Sequence, residues 1–174
     1  MPENIKSIEK VTQQLYKDEN KVSAESGKVV TQHLSLIVAR THSLALKTFN
    51  YNWKLRGKPY NDLLDLTHQH YEELLDSLKR LKERIRELGY DVPDDYTEMD
   101  RLSDILTDNI TEEEIINDLI LLHFSIIKLI NDKNEFLSLN KDDKTQSILF
   151  QRIGFHNKSI LALKKVKNDH MVNH

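Results

Sequence analysis

The sequence predicts an all-α domain built from four long helices. Glycine and proline are scarce, at four and three of 174 residues, which leaves little to form the many tight turns of an all-β fold. Leu, Lys and Glu, strong helix formers, are abundant. Apolar residues recur at steps of three and four along four long stretches.

The first 21 residues mix Lys6, Lys10, Lys17 and Lys21 with Glu3, Glu9, Asp18 and Glu19, and are expected to form a tail or a short helix. A bundle over 22–168 follows, then a C-terminal tail over 169–174. In the first helix Val30, Leu34, Ile37, Thr41, Leu44, Thr48, Tyr51 and Leu55 share one face. Gly57 and Pro59 are placed to end it. The second starts near Asn61 or Asp62 and carries Leu64, Thr67, Tyr71, Leu74, Leu78, Leu81, Ile85 and Leu88 before Gly89. Residues 90–111 contain Pro93 and one short apolar pattern near Met99–Leu106, which predicts a long crossover containing a short helix.

Thr111-Glu112-Glu113-Glu114 resembles a capping box. The third helix is expected to run from there to about Leu139. Its two stripes, Ile115, Leu119, Leu122, Ile126 and Ile116, Ile120, Ile127, Ile130, make a face wide enough for two neighbours. A tight connection over Asn140–Asp143 leads to a fourth helix, about Thr145 to Lys167, with Ile148, Leu149, Ile153, Ile160, Leu161 and Leu163. Four helices with one long crossover and short turns elsewhere describe a four-helix bundle of the ferritin-like kind.

Composition excludes several chemistries. With no cysteine there is no disulfide framework, thiolate zinc site or thiol nucleophile. A net charge of −3 gives no global attraction to nucleic acid, so DNA binding needs a local patch. The N-terminus lacks the apolar core of a secretory signal. The most apolar stretch, Asp118–Ile130, is broken by His123, Ser125 and Lys128 and is too short to span a bilayer. The expected location is the cytoplasm, with no membrane contact.

Bundles often hold metals through Glu-x-x-His pairs on facing helices. No Glu here has a His three residues on; Asp65-x-x-His68 is a single near match. A di-iron centre within one bundle is therefore not expected.

Three blocks carry a resemblance. They are Asn50-Tyr51-Asn52-Trp53-x-x-x-Gly57; Tyr71-Glu72-Glu73-Leu74 with Glu83-Arg84-Ile85-x-x-Leu88-Gly89; and Asp143-x-Thr145 with Leu149, Ile153, His156-x-Lys158 and Leu163. In order and spacing they resemble the Dps family, the miniferritins that protect DNA during starvation. The resemblance covers roughly 25–167, though Ile160–Leu161 replace the family's tryptophan region. It implies a dodecameric shell that stores iron, with an oxidation centre shared by two subunits across a two-fold axis. Helix geometry agrees. At about 1.5 Å rise per residue, positions 68 and 83 of one helix lie about 22 Å apart, so only an antiparallel partner brings both to one ion.

The resemblance places its metal ligands at five positions, and most are replaced. Asn52 and Leu64 stand where it implies His, and His68 and Lys79 where it implies Asp; Glu83 is kept beside Trp53. Asn52 and His68 retain weak donor atoms, Leu64 has none, and Lys79 puts a positive charge where an ion belongs. Weak or absent iron oxidation is the expectation, with the Lys79 ammonium substituting for the ion by pairing with Glu83 or with a partner's side chain.

Plainer readings stand beside these. His68 also reads as an ordinary surface or interface histidine, Trp53 as a packed interface aromatic, and Lys79–Glu83 as a solvated pair. His33, His42, His70, His123 and His156 read as structural, and His170 and His174 lie in the tail. The resemblance further implies acidic pores, to which Asp142 and Asp143 correspond, with Ser147 where another acid is common. Asp at a helix start also serves as a cap. Lys164, Lys165 and Lys167, repeated over a shell, offer weak, salt-sensitive and non-specific DNA attachment. The alternative is a structural or DNA- or partner-binding helical oligomer without iron function.

Overall fold

The computed structural model describes residues 24–56, 61–92, 110–132, 137 and 142–172. Four helices account for nearly all of them: α1 (Ala24–Leu55), α2 (Asn61–Glu87), α3 (Glu112–Asn131) and α4 (Asp143–Val172). α1 packs on α2 and α3 on α4, while α1 also touches α3 and α2 touches α4. That closes a four-sided bundle. Val30, Leu34, Ile37, Leu44, Leu74, Leu81, Ile85, Ile115, Leu119, Ile126 and Leu163 fill its centre.

Local chemistry fixes the helix ends. After α2, Gly89 takes φ +86°, a left-handed conformation that glycine adopts without penalty. Its N–H bonds the Arg86 carbonyl at 2.9 Å and the Tyr90 N–H bonds the Ile85 carbonyl at 3.3 Å, the paired bonds of a Schellman stop. At the start of α3 the expected capping box is present. The Thr111 hydroxyl accepts from the Glu114 N–H at 3.2 Å, and the Glu114 carboxylate accepts from the Thr111 N–H at 2.8 Å.

Two bond sets orient the bundle. Asp118 Oδ2 near the start of α3 accepts from the Tyr51 hydroxyl at 2.6 Å and Lys47 Nζ at 2.9 Å, both late in α1. Near the end of α2, Arg84 Nη2 donates to Asp142 Oδ1 at 2.9 Å, and its Nε donates to Thr145 Oγ1 at 2.8 Å, at the start of α4. α2 therefore ends, and α3 begins, at opposite ends of the bundle. The expected crossover helix near Met99–Leu106 lies outside the described residues, as do Gly57 and Pro59.

Three expectations change. α3 ends at Asn131 rather than near Leu139, at two weak helix formers, Asn131 and Asp132, with the Asp132 N–H bonded back to the Lys128 carbonyl at 3.1 Å. α4 begins at Asp143 and runs to Val172, past Lys167, because nothing after Lys167 breaks a helix. Leu161, expected in the core, is 67% exposed. Among the described residues no helix is long and apolar enough to cross a membrane.

Candidate functional site

The five positions singled out by sequence lie on α1 and α2. Asn52 is buried, and its side chain points across to α2. Its Nδ2 donates to the Leu64 carbonyl at 2.7 Å and to Thr67 Oγ1 at 2.9 Å. Thr67 Oγ1 in turn donates within its own turn, to the Leu63 or Leu64 carbonyl at 2.9 and 3.0 Å. The amide thus clasps two helices together. Leu64 is half-buried and packs against the core. His68, Lys79 and Glu83 are exposed on α2. On this stretch Arg80 pairs with Asp76 at 2.7 Å; among the described residues no ion pair joins Lys79 to Glu83.

Trp53 is 61% exposed, with the Arg56 guanidinium 4.3 Å from its ring centre. Leu36 and Phe49 on α1 and Leu75 on α2 are also exposed. The residues chosen for metal binding are not gathered within one chain: Asn52 meets Leu64 and Thr67, while His68 and Glu83 stay apart along α2.

Asp142 and Asp143 have different surroundings. Asp142 is 3% exposed; its Oδ1 accepts from Arg84 and from the Thr145 N–H at 3.0 Å, so it caps α4. Arg84 also reaches Glu87 at 3.2 Å, and Lys144 bonds the same carboxylate, which together hold the Glu87 carboxyl below its usual range. Asp143 is exposed and lines a groove of about 380 Å³ with Ser147, Phe150 and Ile153. Of the three lysines, Lys164 and Lys165 are exposed. Lys167 is tied to Glu113 at 2.9 Å and Asn117 at 3.0 Å on α3.

A second constellation lies inside the bundle. His70 of α2, His123 of α3 and His156 of α4 are all buried. His123 Nδ1 and His156 Nδ1 are 2.8 Å apart, so one ring carries the proton and the other accepts it. The His70 and His123 ring centres are 5.4 Å apart, and those of His123 and His156 are 5.0 Å apart. Phe155 stands edge-on to His70 and His123 at 5.9 and 5.8 Å. Burial pushes His70 down to about 4, His123 to about 2 and His156 to about 3; Arg152 further disfavours charge on His156. Arg152 is itself paired with Glu73 at 2.9 Å.

Two features were not assigned from sequence. Arg84 lay inside a quoted motif, but its clasp to α4 needs the tertiary fold to be seen. The three histidines are far apart in the chain and form no motif. Their readable signal is that each occupies a core register of its helix, as in Leu119, His123 and Ile126.

Comparison with known proteins fits this architecture. Residues 31–166 match the family model of the ferritin-like domain. An uncharacterized low temperature-induced protein of Nostoc sp. is 35% identical over 52 residues, which is 30% of this chain and 29% of that protein's length. DpsC from Streptomyces coelicolor superposes with a TM-score of 0.73 at 20% identity, covering 81% of this chain and 84% of that one. The Dps protein from Vibrio cholerae O1, described as a member of a broad superfamily of ferritin-like diiron-carboxylate proteins, superposes with a TM-score of 0.74 at 18% identity, covering 82% and 91%. With most of its length inside the matched domain and its four helices arranged as in Dps structures, the chain belongs to the ferritin-like family.

Proposed function

We propose that this protein is a Dps-like, homo-oligomeric cage of the cytoplasm, of the dodecameric kind, which sequesters iron and protects DNA or the cell under oxidative stress, with rapid iron oxidation lost. The observation that carries the loss is the Asn52 amide, bonded to the Leu64 carbonyl and Thr67 Oγ1. Its nitrogen has no lone pair for an ion, so the weak amide oxygen is the one donor left where the family pattern has an imidazole, on a side chain that two bonds hold against α2. With a hydrocarbon at Leu64 and an ammonium at Lys79, the residues present do not fit an iron pair. Iron is cargo in this reading, not a resident cofactor.

The cage rests on the exposed apolar residues Leu36, Phe49, Trp53 and Leu75 beside these positions, which a second copy covers. In an antiparallel pairing about a two-fold axis, Lys79 and Glu83 of one copy approach Leu64 and His68 of the other. Lys79 then supplies the positive charge that a metal supplies in active relatives. Asp143 serves as the pore acid that draws cations inward, because Asp142 is committed to Arg84. Lys164 and Lys165, repeated over the shell, give weak non-specific attachment to DNA; Lys167 contributes less because α3 holds it.

Light scattering and anaerobic Fe(II) addition followed by air test this reading. The expected result is a large particle that forms ferric product slowly, with no fast saturable phase. A monomer overturns the cage, and fast saturable oxidation overturns the disabled site. A large particle that retains no iron at all favours the structural or DNA-binding oligomer, in keeping with the Leu64 and Lys79 substitutions.

A further inference from the structure

A second apolar surface runs along the seam between α3 and α4, away from the α1–α2 patch around Trp53. Leu121 and Phe124 of α3 are 67% and 59% exposed, and Phe150 and Leu161 of α4 are 76% and 67% exposed. Contacts place all four on one side. Glu113 and Asn117 of α3 both bond Lys167 of α4, and Leu121 and Phe124 continue that stripe by helical spacing. On α4, Phe150 lines a groove that also takes in Ile130 of α3, and Leu161 stands about three turns further along the same face. His123 and His156 meet across the two helices, so Phe124 sits between the levels of Phe150 and Leu161. Large apolar side chains open to water along one seam mark a surface that something covers.

The chain itself carries a segment with the matching pattern. Residues 1–23 precede the described helices. Within them Ile5, Ile8, Thr12 and Leu15 recur at steps of three, four and three, flanked by Val11 and Tyr16. On helical spacing these fall on one side, and Lys6, Lys10, Gln13, Gln14 and Lys17 fall on the other. The lengths agree. Ile5 to Tyr16 and Phe150 to Leu161 are both eleven steps, about 16 Å of helix.

The segment also starts from the right end. A Cβ at Gly27, in the first turn of α1, would lie 3.5 Å from the Tyr90 ring just after α2, and Arg84 late in α2 bonds Asp142 and Thr145 at the start of α4. α1 therefore begins at the end of the bundle where α4 begins. The eight residues from Tyr16 to Ala24 extend up to about 26 Å, whereas packed helices lie about 8–10 Å apart. That is enough chain to cross the end of the bundle and enter the seam at Phe150.

We propose that residues 5–16 form an amphipathic helix docked in the α3–α4 seam of their own chain, with Tyr16 toward Phe150 and Ile5 toward Leu161. The apolar stripe then covers the seam, and its lysines face water.

The chain has no cysteine, so two introduced ones report the contact directly. Asn157 is exposed on α4 between Phe150 and Leu161 and is not an apolar anchor. In the full-length Thr12→Cys, Asn157→Cys protein, mild oxidation is expected to form a disulfide within one chain, which needs the two Cα atoms within about 7 Å. The readout is loss of both free thiols with no dimer band on a non-reducing gel. Gln14→Cys with Asn157→Cys, on the polar side, is expected to keep both thiols. Adding Ile8→Glu and Leu15→Glu to the first pair is expected to abolish its disulfide, with circular dichroism establishing that the bundle is folded. A first pair that stays reduced overturns the proposal, as does a dimer band or a disulfide that survives Ile8→Glu with Leu15→Glu. Particle size reads separately: a monomeric wild type overturns the cage and not this docking, and a missing disulfide in a large particle overturns only the docking.

Discussion

The outer face of α1 and α2 and the interior level of His70, His123 and His156 are opposites. The outer face occupies the positions where relatives are expected to hold metal, and it keeps donor atoms at His68 and Glu83 while Leu64 has none and the Asn52 amide nitrogen is engaged. In the interior, His123 Nδ1 and His156 Nδ1 bond each other, while His123 Nε2 and His70 Nδ1 have no partner. Residue type alone does not distinguish the two. Asn52 has polar atoms, but its amide bonds Leu64 and Thr67. His123 has an imidazole nitrogen with no partner at all. What a side chain already touches decides what it can still bind.

The largest expected effect is on the interior. Free histidine titrates near 6.5, and the three buried rings titrate at about 4, 2 and 3. Below pH about 6.5 the unfolded chain takes up protons that the folded chain refuses. Stability is therefore full above that pH and is lost as pH falls toward 4. Each ring contributes up to about 1.4 kcal/mol per pH unit. Urea midpoints of metal-free protein at pH 7.5 and 5.5 are expected to differ strongly for the wild type and much less for a His123→Leu, His156→Leu variant.

Next comes the buried clasp, where polar atoms are engaged as Asn52's are. Arg84→Ala strands Asp142 in the core and is expected to destabilise by about 3–5 kcal/mol in urea unfolding. Asp143→Asn is expected to leave stability unchanged and to slow iron uptake, which separates the two neighbouring acids.

The outer face is tested by rebuilding it. A Leu64→His, Lys79→Asp variant is expected to bind more Fe(II) than the wild type and to oxidise it at least about tenfold faster, a gain of roughly 1.4 kcal/mol. Equal binding by the two proteins would contradict the view that substitution disabled the site. Smaller still, Asn52→Ala removes two hydrogen bonds and is expected to lower stability by about 1–2 kcal/mol without changing iron oxidation. Last, Lys164→Gln with Lys165→Gln is expected to weaken DNA retention in gel shifts at low salt, and Lys167→Gln to do so less.

Much of the fold was legible because periodicity and end signals are local. The Thr111 capping box and the Gly89 stop required only neighbouring residues, and the stripe from Val30 to Leu55 required only helical spacing. The failures have tertiary causes. Leu161 fits an apolar stripe but faces outward in the folded bundle. Of the site, the weakened ligand positions were legible from substitutions alone. The inward turn of Asn52 was not, since it depends on a carbonyl twelve residues away. The histidine cluster was hidden for the same reason, since its members come from three helices that only folding brings together.

The chain has one tryptophan, and Trp53 is mostly open to water at the end of α1. An indole there gives the molecule a built-in optical probe. Any event that dries that surface moves its emission to shorter wavelength, so subunit exchange, dilution and disassembly can be followed in real time without attaching a dye.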